Sequence, residues 1–246
     1  EATTLYNNRS QTTGYMSQSS VYKLNANINN PIIRIRRSSD NLETDFYNPF
    51  NSGLATVDNT TLASWGSGNT LYITKLYNQS TVKTTPLIQP TTSNQPILDL
   101  SNMDIIFDGS SNYMYAETPT DILDNGDDNY SYATTSNHTS ESNDGNLMGF
   151  PSNTNNYGSN IYFKGSTIAS NQTNLGFNGQ DNDTFITDPL AININTQYNI
   201  VMTVDNNETN NINIWTNNST TSPSKTATTS NANANLNLNN SNFYIG

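Results

Sequence analysis

There is no cysteine anywhere in the 246 residues, which excludes a disulfide framework, a thiolate zinc site and a thiol nucleophile. Histidine is almost as scarce. His138 is the single one, so any Ser-His-Asp arrangement would have to use it, and its neighbours Asn137 and Thr139 lie in a polar stretch that offers no framework for holding a base. Charge is thin at 12% of residues and unbalanced, with 9 Lys and Arg against 20 Asp and Glu and a formal net charge of −11. Nucleic-acid binders draw affinity from cations at phosphates, so no nucleic-acid partner is expected. Apolar runs are short, and none nears the roughly 18 residues of a membrane-spanning helix, so no membrane insertion is expected. No basic segment followed by an apolar one marks a signal peptide. The first residue is Glu1 and not Met, from which a processed chain or a segment of a longer protein is expected.

What is present in quantity is Asn, Ser and Thr, residues that compete for backbone hydrogen bonds inside a helix and so favour strands and turns. A wholly disordered chain would be poor in rings and β-branched side chains. Here 14 Tyr, 8 Phe and 2 Trp are spread along the length with Ile and Val between them. They are enough to seal an all-β sandwich, and one domain of this size is the expectation.

Along the chain, residues 1–30 form a polar segment with a candidate short helix at 19–25. After Pro31, Ile33 and Ile35 alternate with Arg34 and Arg36, as on a half-buried strand. Residues 71–77 alternate less cleanly, as Leu71, Ile73, Lys75 and Tyr77. Short strands are expected at 97–100, 104–107 and 112–115, the last two parted by an Asp108-Gly109 turn. Others fall at 161–163, 175–177, 184–186 and 190–194, before the clearest hairpin, 198–204 with 211–216. Residues 220–235 are of low complexity and 243–245 make a last strand. No Lys or Arg lies between Lys83 and Lys164, and the stretch 117–157 reads as a long acidic loop.

Several residues are candidates for function. Asp124, Asp127 and Asp128 could supply hard oxygen ligands to Ca²⁺, although their spacing does not follow the EF-hand, and a solvated acidic loop explains them equally. No other cofactor is expected. Trp65, Tyr113, Tyr115, Tyr130 and Trp215 could stack on sugar rings, since an aromatic face offers apolar area beside a polar edge, while most rings in a sandwich are core. Alternation sets Trp215 opposite Ile212 and Ile214 without saying which face is buried. Arg34, Arg36 and Arg37 form the one basic cluster. Asp40, Glu43 and Asp45 are close enough in sequence to pair with them, which is favoured over an acidic partner.

The strings IIRIRRSSDN (32–41), LYITKLYNQS (71–80) and TSNQPIL (92–98) resemble, in order, the catalytic domain of the α-L-arabinofuranosidase B family. IIFDGSSNYM (105–114), YNIVMTVD (198–205), INIWTNN (212–218) and NSNFYIG (240–246) resemble the wider concanavalin A-like and laminin-G lectin group. The resemblance implies a concanavalin A-like jelly-roll β-sandwich of two antiparallel sheets, here 31–246, as also found in structural proteins of phages and large DNA viruses. In the enzyme family the nucleophilic Glu follows a vicinal cysteine pair, and the general-acid Asp lies just beyond the strand matching FYIG. This sequence has no cysteine, Glu141 is the only Glu in the corresponding region, and the sequence ends at Gly246. A glycosidase needs two carboxyl groups flanking the bond it breaks. The expectation is therefore a protein that is not an enzyme: a virion-surface, minor capsid, fibre or decoration subunit that meets host glycans. An extracellular carbohydrate-binding module or adhesin is the second reading, and a glycoside hydrolase with its acid outside this chain the third. With the final strand of the sandwich missing, a neighbouring virion or surface subunit is expected to donate one to the open edge.

Overall fold

The structure, a computed structural model, describes residues 31–47, 59–79, 85–101, 104–117, 130–139, 145–150, 159–164, 172–178, 184–204, 212–218, 224–229 and 242–246. It is nearly all antiparallel β, and the chain forms two compact units, Glu1–Ile122 and Leu123–Gly246. The candidate helix at 19–25 lies outside the described residues.

In the first unit the central strands are β1 (Ile33–Arg37), β2 (Glu43–Phe46) and β3 (Leu71–Leu76). β1 pairs with both others, and β3 continues to β4 (Leu87–Ile88), which pairs with β7 (Met114–Ala116). β5 (Ile97–Asp99) and β6 (Asp104–Ile106) branch from β3. The imperfect alternation of 71–77 has a structural cause. Arg34 faces Lys75 but Ile35 faces Ile73, so Thr74 is an extra residue on β3. This bulge resets the alternation, turning Leu76 inward against Ile33 and Lys75 outward against Arg34. The inner face is a dry layer of Ile33, Ile35, Phe46, Ile73, Leu76 and Met114. A short helix α1 (Asn59–Trp65) adds Leu62 to the core. Gly66 ends it, where its N–H bonds to the Leu62 carbonyl at 2.8 Å and a Cβ would meet a Leu71 methyl at 2.8 Å.

The second unit holds two antiparallel sheets. One runs in the order β12 (Thr184–Asn193), β11 (Gln172–Asn178), β10 (Ser159–Lys164), β9 (Gly145–Phe150) and β16 (Phe243–Ile245). The other runs β15 (Ser224–Thr229), β14 (Ile212–Asn218), β13 (Gln197–Val204) and β8 (Tyr130–Asn137). Phe243 ties them together, with its ring 5.2 Å from Phe150 on its own sheet and 6.0 Å from Tyr132 on β8. Ile161, Ile192, Ile200, Met202 and Ile214 complete the filling, and the fold is an antiparallel β-sandwich, as expected.

Two parts of the sequence reading are corrected. The stretch 117–157 is not one long loop, because it contains β8 and β9. β8 escapes hydrophobic patterning since its inward positions, Tyr132, Thr134 and Ser136, are mostly polar, although they face Met202, Ile200 and Tyr198. Likewise the low-complexity stretch 220–235 supplies β15, whose small Ala227 sits opposite Ile214.

Candidate functional site

The polar side of β1, β2 and β3 is built around one ion pair. Arg34 lies directly across from Asp45 and donates to it in a fork, Nε to Oδ1 at 2.8 Å and Nη2 to Oδ2 at 2.6 Å. The Tyr77 hydroxyl donates to the same Oδ1 at 2.8 Å. The guanidinium fork holds Asp45 below the ordinary carboxylate range against the opposing effect of burial, and Tyr77 is pushed up to about 12 by burial and by its bond to that carboxylate. Asp45 is thus a fixed negative charge and no proton donor. Arg37 pairs with Asp40 in the same way, at 2.9 and 2.6 Å, within the β1–β2 hairpin, and Asp40 is lowered to about 2 by that bond. Internal pairing of the basic cluster therefore accounts for Arg34 and Arg37. Arg36 differs: it is buried, donates to Gln95 Oε1 and Asn41 Oδ1 at 2.7 Å each, and lies over the Tyr72 ring at 4.3 Å. Neutral oxygens and a ring hold this guanidinium where a carboxylate was expected.

The candidate sugar-stacking rings are dispersed. Trp65 closes α1, with the Arg37 guanidinium 5.0 Å from its ring and the edge of Phe46 at 5.5 Å, so packing already occupies much of its surface. Tyr113 and Tyr115 are brought together, with centroids 6.1 Å apart and planes tilted by 37°. Tyr130 opens β8, and Trp215 is at mid-strand on β14. The candidate calcium ligands Asp124, Asp127 and Asp128 lie outside the described residues, as do Glu141 and Asp144. His138 follows β8, and its carbonyl accepts from the Asn195 N–H at 2.7 Å.

Two other features of the first unit are chemically limited. A cavity of about 320 Å³ is lined chiefly by Leu71, Ile97, Leu98, Leu100 and Ile106, with Asp99 as the only carboxylate among the described residues that line it. One acid cannot run glycoside hydrolysis. Asp108 is locked in a turn, its Oδ1 accepting the backbone N–H groups of Ser110, Ser111 and Asn112 at 2.8–2.9 Å while Ser111 Oγ donates to Oδ2 at 2.7 Å. Those bonds, led by the Asn112 N–H, hold it well below the usual range, and Gly109 at φ 70 closes the turn.

In the second unit the exposed side of β8, β13 and β14 has another character. Cross-strand register sets Ala133, Val201 and Trp215 in one row, with Thr135, Asn199 and Asn217 in the next. Ile200, Met202 and Ile214 are buried on the opposite side, which settles that Trp215 belongs to the outer face, where it is half-buried. Val201 beside it is 38% exposed. Thr135 Oγ1 donates to Asn199 Oδ1 at 2.8 Å. Alternation sets Trp215 opposite the core residues of its strand, but the Thr135–Asn199 neighbourhood is invisible in the sequence, because the partners are 64 positions apart.

No family model and no curated protein matches the chain, but solved structures do. An arabinofuranosidase complexed with arabinofuranosyl-α-1,2-xylobiose has a TM-score of 0.69 at 13% identity, over 99% of this chain and 60% of its own. A glutamate-to-glutamine variant of a GH54 α-L-arabinofuranosidase, soaked with 4-nitrophenyl α-L-arabinofuranoside, has 0.68 at 14% identity, over 94% and 58%. A GH54 α-L-arabinofuranosidase soaked with a cyclic sulfate inhibitor has 0.65 at 13%, again over 94% and 58%. The chain spans about three-fifths of the length of these enzymes. At such identities the likeness establishes the fold, a β-sandwich of the arabinofuranosidase kind.

The expectation that the chain is not an enzyme is overturned by these neighbours, since all three are sugar-cleaving enzymes. That expectation rested on a missing cysteine pair and on the end of the sequence at Gly246. Cysteine is not a chemical requirement of glycoside hydrolysis, which asks only for two suitably spaced carboxyls, and the end of a sequence says nothing about the extent of the protein.

Proposed function

We propose that this chain is the catalytic portion of an arabinofuranosidase-like glycoside hydrolase, removing arabinofuranosyl groups from an uncharged polysaccharide. The observation that carries the reading is the fold likeness over 99% of the chain to an enzyme complexed with an arabinofuranosyl xylobiose. Such chemistry needs one carboxyl to protonate the departing oxygen and a second to attack the anomeric carbon or to activate water. Asp45 and Asp108 are unsuited to the acid role, because their hydrogen-bond partners hold them ionised. The acidic stretch 117–157 is the other source of carboxyls, and Glu141, the only Glu in the region corresponding to the family's nucleophile, is the residue to test, although its neighbours do not follow the family's pattern.

The test is release of 4-nitrophenolate from 4-nitrophenyl α-L-arabinofuranoside. Turnover is expected, and Glu141→Gln should lower kcat at least about 100-fold. Absence of turnover, in this chain and in any longer product containing it, on both the chromogenic substrate and arabinoxylan, would sink the reading.

A further inference from the structure

The outer side of β8, β13 and β14 is uncharged in a chain of net charge −11. Its outward positions hold Ala, Val, Trp, Ser, Thr, Asn and Gln, with no Asp or Glu on these three strands, and among the described strands of this sheet the single cation is Lys225, paired in register with Trp215 on β15. Neighbouring strands lie about 4.8 Å apart, so the row Ala133, Val201, Trp215 makes an apolar strip roughly 10 Å long. Flanking it, Asn199 accepts the Thr135 hydroxyl on its carbonyl oxygen, and among the described residues nothing accepts from the two N–H donors of its amide.

We propose that this face is a binding platform for the uncharged polysaccharide itself, with the Trp215 indole and Val201 as the stacking strip and Asn199 as a hydrogen-bonding neighbour. The choice of ligand rests on the glycosidase reading; the geometry of the face does not. A sugar ring presents C–H groups on one side and hydroxyls at its rim, which matches an indole flanked by amides. Charge selects among occupants. An anionic polymer gains nothing from a face with one edge cation and is repelled by the chain as a whole, and a second copy of the chain meets the same repulsion. A neutral glycan meets neither cost. With no carboxyl at its outward positions, the platform holds substrate and does not cleave it.

The experiment pairs affinity electrophoresis of the full chain in soluble neutral arabinoxylan with hydrolysis of 4-nitrophenyl α-L-arabinofuranoside. Trp215→Ala should weaken polymer binding at least tenfold, about 1.4 kcal/mol. Trp215→Phe should retain part of it, Asn199→Ala should weaken it by a smaller factor, and kcat/KM on the small substrate should stay at the wild-type value. Phe at this position also guards against misfolding of the Ala variant, since it keeps a ring on the same strand. Wild-type binding that none of the three variants alters overturns the proposal, as does absence of wild-type binding or a Trp215-dependent dimer, which would make a second copy the occupant. Turnover without Trp215-dependent binding leaves the cleavage reading standing and removes the platform. Trp215-dependent binding without turnover does the reverse.

Discussion

The outer faces of the two units use the same strand geometry for opposite ends. On β1, β2 and β3 the outward side is built on a charged pair: Arg34 forks onto Asp45, Tyr77 joins it, and Lys75 lies 5.3 Å from the Tyr77 ring. On β8, β13 and β14 they are neutral, and an apolar row is left facing solvent. A charged pair cross-linked in this way costs desolvation to open and so behaves as structure. A neutral face with a half-buried indole beside an exposed valine costs little to cover. Charge clusters draw attention in a sequence, yet here the neutral strands β8, β13 and β14 are the better candidate for contact with a partner.

The largest test of this comparison concerns what the two regions share, a dry inner layer. Ile35→Ala and Met202→Ala, both at fully buried positions, should each cost about 2–5 kcal/mol in chemical denaturation. A cost below about 1 kcal/mol at either site would mean that its inner face is not packed as described.

The next effect separates the outer faces. Asp45→Asn keeps the shape but removes the charge that Arg34 and Tyr77 hold, and should cost about 1–2 kcal/mol at pH 7 after allowance for the partial exposure of both partners. Because folding lowers the Asp45 carboxyl below its ordinary value of 3.8, the stabilisation is fully present above that pH and fades as pH falls through the lowered value. Stability should therefore decline less steeply below about pH 4 in the variant, as read from denaturation midpoints at several pH values. An unchanged slope would show that the ion pair contributes nothing to acid sensitivity.

Smaller still is Asp108→Asn, which retains one acceptor oxygen for the turn but loses charge at an exposed site. A loss under about 1 kcal/mol is expected, with the same sign of pH dependence as at Asp45. A larger loss in a thermal melt would give this turn a part in more than local order.

Strand patterning anticipated β1, β10, β13, β14 and β16, where Ile, Val or rings recur with period two, and the turn at Asp108-Gly109. It missed β8 because its inward positions are mostly polar and β15 because SKTATT has no apolar alternation, and it missed the bulge at Thr74 because a register shift is a relation between two strands. Pairing of Arg34 and Arg37 was legible, since Asp45 and Asp40 lie a hairpin away. The coordination of Arg36 by Gln95 was not, since the two are 59 positions apart in sequence.

Composition and local alternation alone determined that this chain builds β structure, carries no thiol chemistry and has an acidic balance, because those properties belong to residue types and their nearest neighbours. Only the tertiary structure decided which side of β14 Trp215 occupies, which partners each arginine finds and which neutral strands align into one face. Each of those depends on strands distant in sequence meeting in one register, and no short stretch of chain encodes that meeting.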